Sequence, residues 1–162
     1  MGKFEIESTF SSTTAEKLVK FEKKYDLILP DDYKQFLLIN NGGKTGPKRR
    51  FLTNDPTKEG EVESSILFFF PLTDETTSNL ENIYLLYTKS NVIKNLFLPI
   101  GETPRKNIVC MAVKGENKGS VFHFDLGYDD YIKKGIELES EFIRFIASSF
   151  TEFIDGLFIA NQ

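Results

Sequence analysis

Tryptophan is absent from this 162-residue chain, and histidine and cysteine occur once each, as His123 and Cys110. One cysteine excludes an internal disulfide, and one histidine with one cysteine cannot assemble a zinc ligand set, so no metal or cofactor is expected. No uncharged apolar run approaches the roughly 20 residues of a membrane span; residues 66–70 form only a short one. The first residues also lack the basic stretch and apolar run of a secretory signal. A soluble, cytoplasmic protein without a membrane partner is the expectation. Positive charge is not in excess either: the net charge of -4 argues against direct binding of nucleic acid, whose footprint would be basic.

What is present fits one globular domain over residues 1–162, with residues 1–12 as a flexible arm. Apolar residues make up 40% and charged residues 27%, and sixteen phenylalanines point to a core built on Phe. Charge is unevenly spread. From residue 123 onward, eight acids (Asp125, Asp129, Asp130, Glu137, Glu139, Glu141, Glu152, Asp155) face three bases (Lys133, Lys134, Arg144). Over residues 44–60 the sign reverses, with Lys44, Lys48, Arg49, Arg50 and Lys58 in what reads as a loop, within which Arg50 to Leu52 fits a short strand.

Residues 29–43 carry the clearest local logic. Pro30 suits a first helical position, and Asp31 and Asp32 place negative charge at the positive end of the helix dipole. Tyr33, Phe36, Leu37 and Asn40 then recur at helical spacing, with Leu38 and Ile39 widening the apolar side, which predicts a largely buried helix. Asn41, Gly42 and Gly43 end it, Asn41 as the cap. Upstream, Thr13 to Glu16 fits a capping box for a first helix with Leu18, Phe21 and Tyr25 on one face.

The string Leu29-Pro30-Asp31-Asp32-Tyr33-Lys34 with Phe36-Leu37 and Asn41-Gly42-Gly43, preceded by Phe21 to Tyr25, resembles the signature of the SUKH superfamily of Smi/Knr-like domains. The resemblance extends over residues 15–157, through Leu98 to Gly101, Val121 to Asp125 and Ser149 to Ile154, with His123 standing where a large apolar residue would be more familiar. Many bacterial members are immunity proteins, so the resemblance implies a fold and a protein-binding role.

The remainder predicts a buried strand over residues 62–72, and a third helix opened by Ser78 to Glu81 with Leu80, Ile83, Tyr84 and Tyr87 on one face. Residues 96–100, 108–113 and 120–126 read as an antiparallel meander with a hairpin loop over 115–119. Residues 142–146 fit either an edge strand or a helix start, and Ser149 to Glu152 introduces a terminal helix bearing Phe150, Phe153, Ile154 and Leu157. Helices, then strands, then a helix give an α+β fold: a mainly antiparallel sheet packed with an N-terminal helix pair, a middle helix and a C-terminal helix.

Chemistry is sparse. Gly43-Lys44-Thr45 lacks the first glycine and the preceding strand of a phosphate loop, leaving a glycine turn and a solvated lysine. Cys110 sits in an apolar strand and reads as core. His123 and Asp125 would share one face of a strand, close enough there for a hydrogen-bonded pair, but no motif supplies a nucleophile, and a polar face on a half-buried strand is the favoured reading. A calcium loop lacks its regular ligands and closing Glu. The stretch around Asp125, Tyr128, Asp129, Asp130 and Tyr131 alternates carboxylates with aromatics, as an interface with tyrosine anchors does, and Glu137, Glu139 and Glu141 would support it; a solvated acidic loop has the same composition. A non-enzymatic immunity protein that blocks the active site of a cognate toxin, such as a nuclease, is the functional expectation, with a homodimer admitted. The alternatives are a regulatory scaffold of the cell-wall regulator type, and a small-molecule-binding or hydrolytic domain using His123 and Asp125.

Overall fold

The computed structural model describes residues 3–127 and 130–160. Among them are five helices, α1 (Ala15–Tyr25), α2 (Asp31–Ile39), α3 (Leu80–Lys89), α4 (Tyr131–Lys134) and α5 (Phe150–Asp155). The strands are β1 (Ile6–Glu7), β2 (Gly43–Thr45), β3 (Lys48–Leu52), β4 (Glu63–Ser65), β5 (Phe68–Phe69), β6 (Phe97–Glu102), β7 (Ile108–Ala112), β8 (Val121–Phe124), β9 (Ile143–Ala147) and β10 (Phe158–Ile159). Seven form one antiparallel sheet in the order β1-β2-β5-β6-β7-β8-β9, and β10-β3-β4 form a second. The α+β architecture with a predominantly antiparallel sheet is as expected.

The sheet is buried on both faces where β7 crosses it, which explains the unbroken apolar run there. Val109 and Met111 join the main core with Leu98, Ile100, Val121 and residues of α1, α2, α3 and α5. Ile108 and Cys110 point the other way, into a smaller core with Phe124, Leu126 and Leu138. The main core is built on aromatic rings: Phe150 packs on Tyr33, Phe36 and Phe69 with centroids 4.9–6.0 Å apart, and Phe153 contacts Phe51 and Phe69. Fully burying one such side chain contributes about 1.5–3 kcal/mol of transfer free energy.

Several local expectations shift. Helix α2 begins at Asp31, with Pro30 the extended N-cap residue (φ -60, ψ 148) rather than the first helical one. Only Tyr33 and Leu37 are fully buried, and Ile39, 76% exposed, does not join the core. Asn41 is not a helix cap. Its Nδ2 donates to the Ser11 and Leu72 carbonyls and its Oδ1 accepts from the Leu72 N–H, all within 2.9–3.0 Å, so it pins three segments together. Gly42 and Gly43 take φ values of 73 and 131 and leave no room for a Cβ against the Phe69 and Glu7 carbonyls.

The N-caps of α1 and α3 are Thr14 and Asn79, each one residue later than the capping boxes predict; each side chain accepts the N–H three residues on, at 3.2 and 2.8 Å. At α5 the expected cap holds, with Ser149 accepting from the Glu152 N–H at 3.0 Å. Residues 1–12 are not simply an arm, because β1 pairs with β2. The basic loop over 44–60 contains β2 and β3, and the strand over 62–72 divides into β4 and β5, which belong to different sheets. Residues 142–146 resolve as strand β9, and the last described element is β10, not a helix.

Candidate functional site

The chemistry-bearing residues gather where the second sheet meets the C-terminal end of β8. Strand β8 sends Phe122 and Phe124 into the smaller core and His123 to the opposite face, beneath Phe51 of β3, with ring centroids 6.0 Å apart. A cleft of about 580 Å³ opens beside it, lined on one side by Arg50, Glu63, Ser64 and Ser65 and on the other by Arg105, Asn107 and Asp125. Arg50 is held by Glu63, its Nε donating to Oε2 at 2.8 Å. Asn107 accepts the Leu126 N–H at 2.9 Å, and Asp125 accepts the Gly127 N–H at 2.9 Å, which fixes the turn that leaves β8.

His123 is 1% exposed, and among the described residues neither imidazole nitrogen has a hydrogen-bond partner. The hydrogen-bonded pair with Asp125 that the strand pattern allows is therefore not formed. Burial lowers the His123 pKa, Asp125 opposes that shift, and Arg144, paired across the ladder, adds to it. The ring is neutral at physiological pH, without a carboxylate to orient it, and this is not the geometry of an activated general base.

A second hollow of about 530 Å³ adjoins the first, sharing Arg105 and Gly127, and is lined by Tyr87, Lys106, Leu126, Asp130 and Tyr131. Asp130 is exposed and caps α4 by accepting the Lys133 N–H at 3.1 Å, while Tyr131 packs half-buried on the smaller core. Burial pushes the Tyr87 hydroxyl up to about 12, with the Cys110 and Glu102 side chains reinforcing the shift. Tyr128 and Asp129 lie outside the described residues.

The structure thus brings Asp125, Asp130 and Tyr131 around two adjoining hollows, together with the cations Arg105 and Lys106. Glu137, Glu139 and Glu141 line neither. Glu137 faces Lys94 at 3.7 Å, and Glu139 has its carboxyl raised by a hydrogen bond to, and the charge of, Glu141. All three are exposed. Sequence reasoning missed Arg50, Ser64, Arg105 and Asn107 because they come from three separate segments. The one available signal was the short strand over Arg50 to Leu52. The backbone of Arg105 and Lys106, at φ 67 and 63, has no mark in the sequence, although two adjacent left-handed residues of this kind are uncommon and gather at functional loops.

A family model described as SMI1/KNR4 (SUKH-1) matches residues 12–156. The chain belongs to that family. The matched span covers the 29–43 signature, strands β2 to β9 and all five helices, and it includes every residue that lines the cleft and the adjoining hollow of this SMI1/KNR4 chain. No curated protein matches the chain. Among the described residues no group of three or more His, Cys, Asp or Glu side chains is placed to hold a metal ion, and no helix is long and apolar enough to cross a membrane.

Proposed function

We propose that this SMI1/KNR4 protein is an immunity protein that binds a cognate toxin, a nuclease in the reading its charge favours, and blocks the toxin's active site by occupancy rather than by catalysis. Family membership supports the proposal, because the resemblance to Smi/Knr-like domains implies a protein-binding role of the immunity type. The supporting residues are Asp125, the exposed Asp130 and the half-buried Tyr131, with Glu137, Glu139 and Glu141 as further exposed charge. Clustered carboxylates speed encounter with a basic cleft and compete there with nucleic acid, while a tyrosine supplies a large rigid contact. The unpartnered, neutral His123 favours a binding role over the hydrolytic alternative.

The test is capture of the toxin domain encoded beside this protein, followed by titration of the toxin's activity. Stoichiometric inhibition is expected, falling at least tenfold when Asp129, Asp130 and Tyr131 are replaced together. Undiminished inhibition by that variant moves the contact elsewhere, and no capture removes the immunity reading in favour of a regulatory scaffold.

A further inference from the structure

Strand β4 is an edge strand, paired only with β3. Its register sets Arg50 opposite Ser65, Phe51 opposite Ser64 and Leu52 opposite Glu63. The bonds that continue this ladder, Thr53 N–H to the Val62 carbonyl and Ile66 N–H to the Arg49 carbonyl, both at 2.9 Å, fix its phase. Hydrogen-bonded pairs alternate in an antiparallel ladder, so Ser64 exchanges both its bonds with Phe51, and the N–H and C=O groups of Glu63 and Ser65 point away from β3. Among the described residues nothing pairs with those two donors and two acceptors. Exposed strand edges are ordinarily blunted or covered, and Ser65, only 5% exposed, makes an unsatisfied backbone there costly.

The open edge faces the 580 Å³ cleft. Beneath the cleft lies His123, with both nitrogens unpartnered. Across it stands Arg105, whose guanidinium has no ion pair or hydrogen bond among the described residues, although Glu63 already holds the other cleft arginine, Arg50. Backbone donors and acceptors spaced along a strand are matched by another extended backbone, and a lone guanidinium by a carboxylate.

We propose that this cleft receives an extended segment of a partner protein, which adds to β4 as a further strand and places an acidic side chain against Arg105. The proposal rests on the reading of the chain as a protein-binding module, but not on the partner being a toxin. It locates an anchor beside the acidic surface: the segment's main chain supplies affinity along β4, and its acidic residue sets the register.

The experiment pans a displayed library of random heptapeptides on the intact protein and resynthesises the enriched sequences. Enriched peptides are expected to carry an Asp or Glu, to shift and protect the Glu63 and Ser65 amides in nitrogen-15 spectra, and to lose at least tenfold in affinity when N-methylated at alternate, β4-facing positions. Glu63→Pro, which removes one outward donor at an edge where proline is tolerated, should abolish binding, whereas Glu63→Ala retains it. Failure to enrich any peptide, indifference to N-methylation, or shifts that map away from β4 would overturn the proposal. So would sedimentation showing that two copies pair through this edge. Peptide binding without toxin capture leaves strand addition standing and removes the immunity role; toxin neutralisation undiminished by Glu63→Pro, with no peptide enriched, does the reverse.

Discussion

Asn41 and His123 are both polar and both buried, at 3% and 1% exposure, and they sit in opposite circumstances. Around Asn41, at the signature end of the fold, every amide atom is engaged and three segments are tied to one side chain. Around His123, at the cleft end, two ring nitrogens, an arginine and a strand edge lack partners among the described residues. The contrast is between two side chains, one satisfied by the fold and one not. Tyr33 Oη and Thr13 Oγ1, near the signature, are also buried without partners among the described residues, so the cleft end is set apart by having an arginine and a strand edge unpartnered as well. A buried polar group is costly when orphaned and close to neutral when satisfied.

The contrast can be broken by substitution. At the signature end the largest effect is expected from Phe150→Ala, which removes a ring contacting Tyr33, Phe36, Phe69 and Phe153 and should cost about 3–5 kcal/mol in denaturant unfolding. Asn41→Leu should follow, at about 3 kcal/mol, because it strands the Leu72 N–H and two carbonyls inside the fold. His123→Leu should have the opposite character, neutral or stabilising by about 1 kcal/mol, since it removes two unsatisfied nitrogens and leaves no group orphaned. A loss comparable with that of Asn41→Leu would show that the imidazole has a structural partner and would collapse the comparison.

Acid sharpens the same point. Burial lowers the His123 pKa below its ordinary 6.5, so the unfolded chain binds the proton first. Its contribution is complete above that value and is lost as pH falls from 6.5 through the lower folded-state pKa. Urea midpoints should decline over that window, and His123→Leu should flatten the decline. At the signature end the smallest loss, about 1 kcal/mol, is expected from Ser149→Ala, which removes the α5 cap.

The signature end was largely legible in the sequence because its information is local. The spacing of Tyr33 and Leu37, the two glycines and the serine cap each act within a few residues, and the boundary errors there were single-residue shifts, as at Pro30 and Thr14, with Ile39 the one apolar position of the helix that turned out exposed. Asn41 marks the limit: its position was evident, but its partners Ser11 and Leu72 are about thirty residues away on either side, so it read as a cap. The cleft end was mostly illegible. Asp125 to Tyr131 stood out by composition, but Arg50, Ser64 and Arg105 converge only through sheet pairing, and no periodicity announces that β4 and β5 part into different sheets.

The pairing of β10 with β3, Phe158 opposite Arg50, spans more than a hundred residues of chain. Strands β6, β7 and β8, by contrast, follow one another directly. Closing so long a loop is entropically slow, which sets a timetable for folding. Pulse-labelled exchange should find the meander amides protected before those of β10. On the ribosome the meander strands emerge first, whereas the Phe150 and Phe153 rings of the main core and the β10 strand that completes the three-stranded sheet all come from almost the last of these residues.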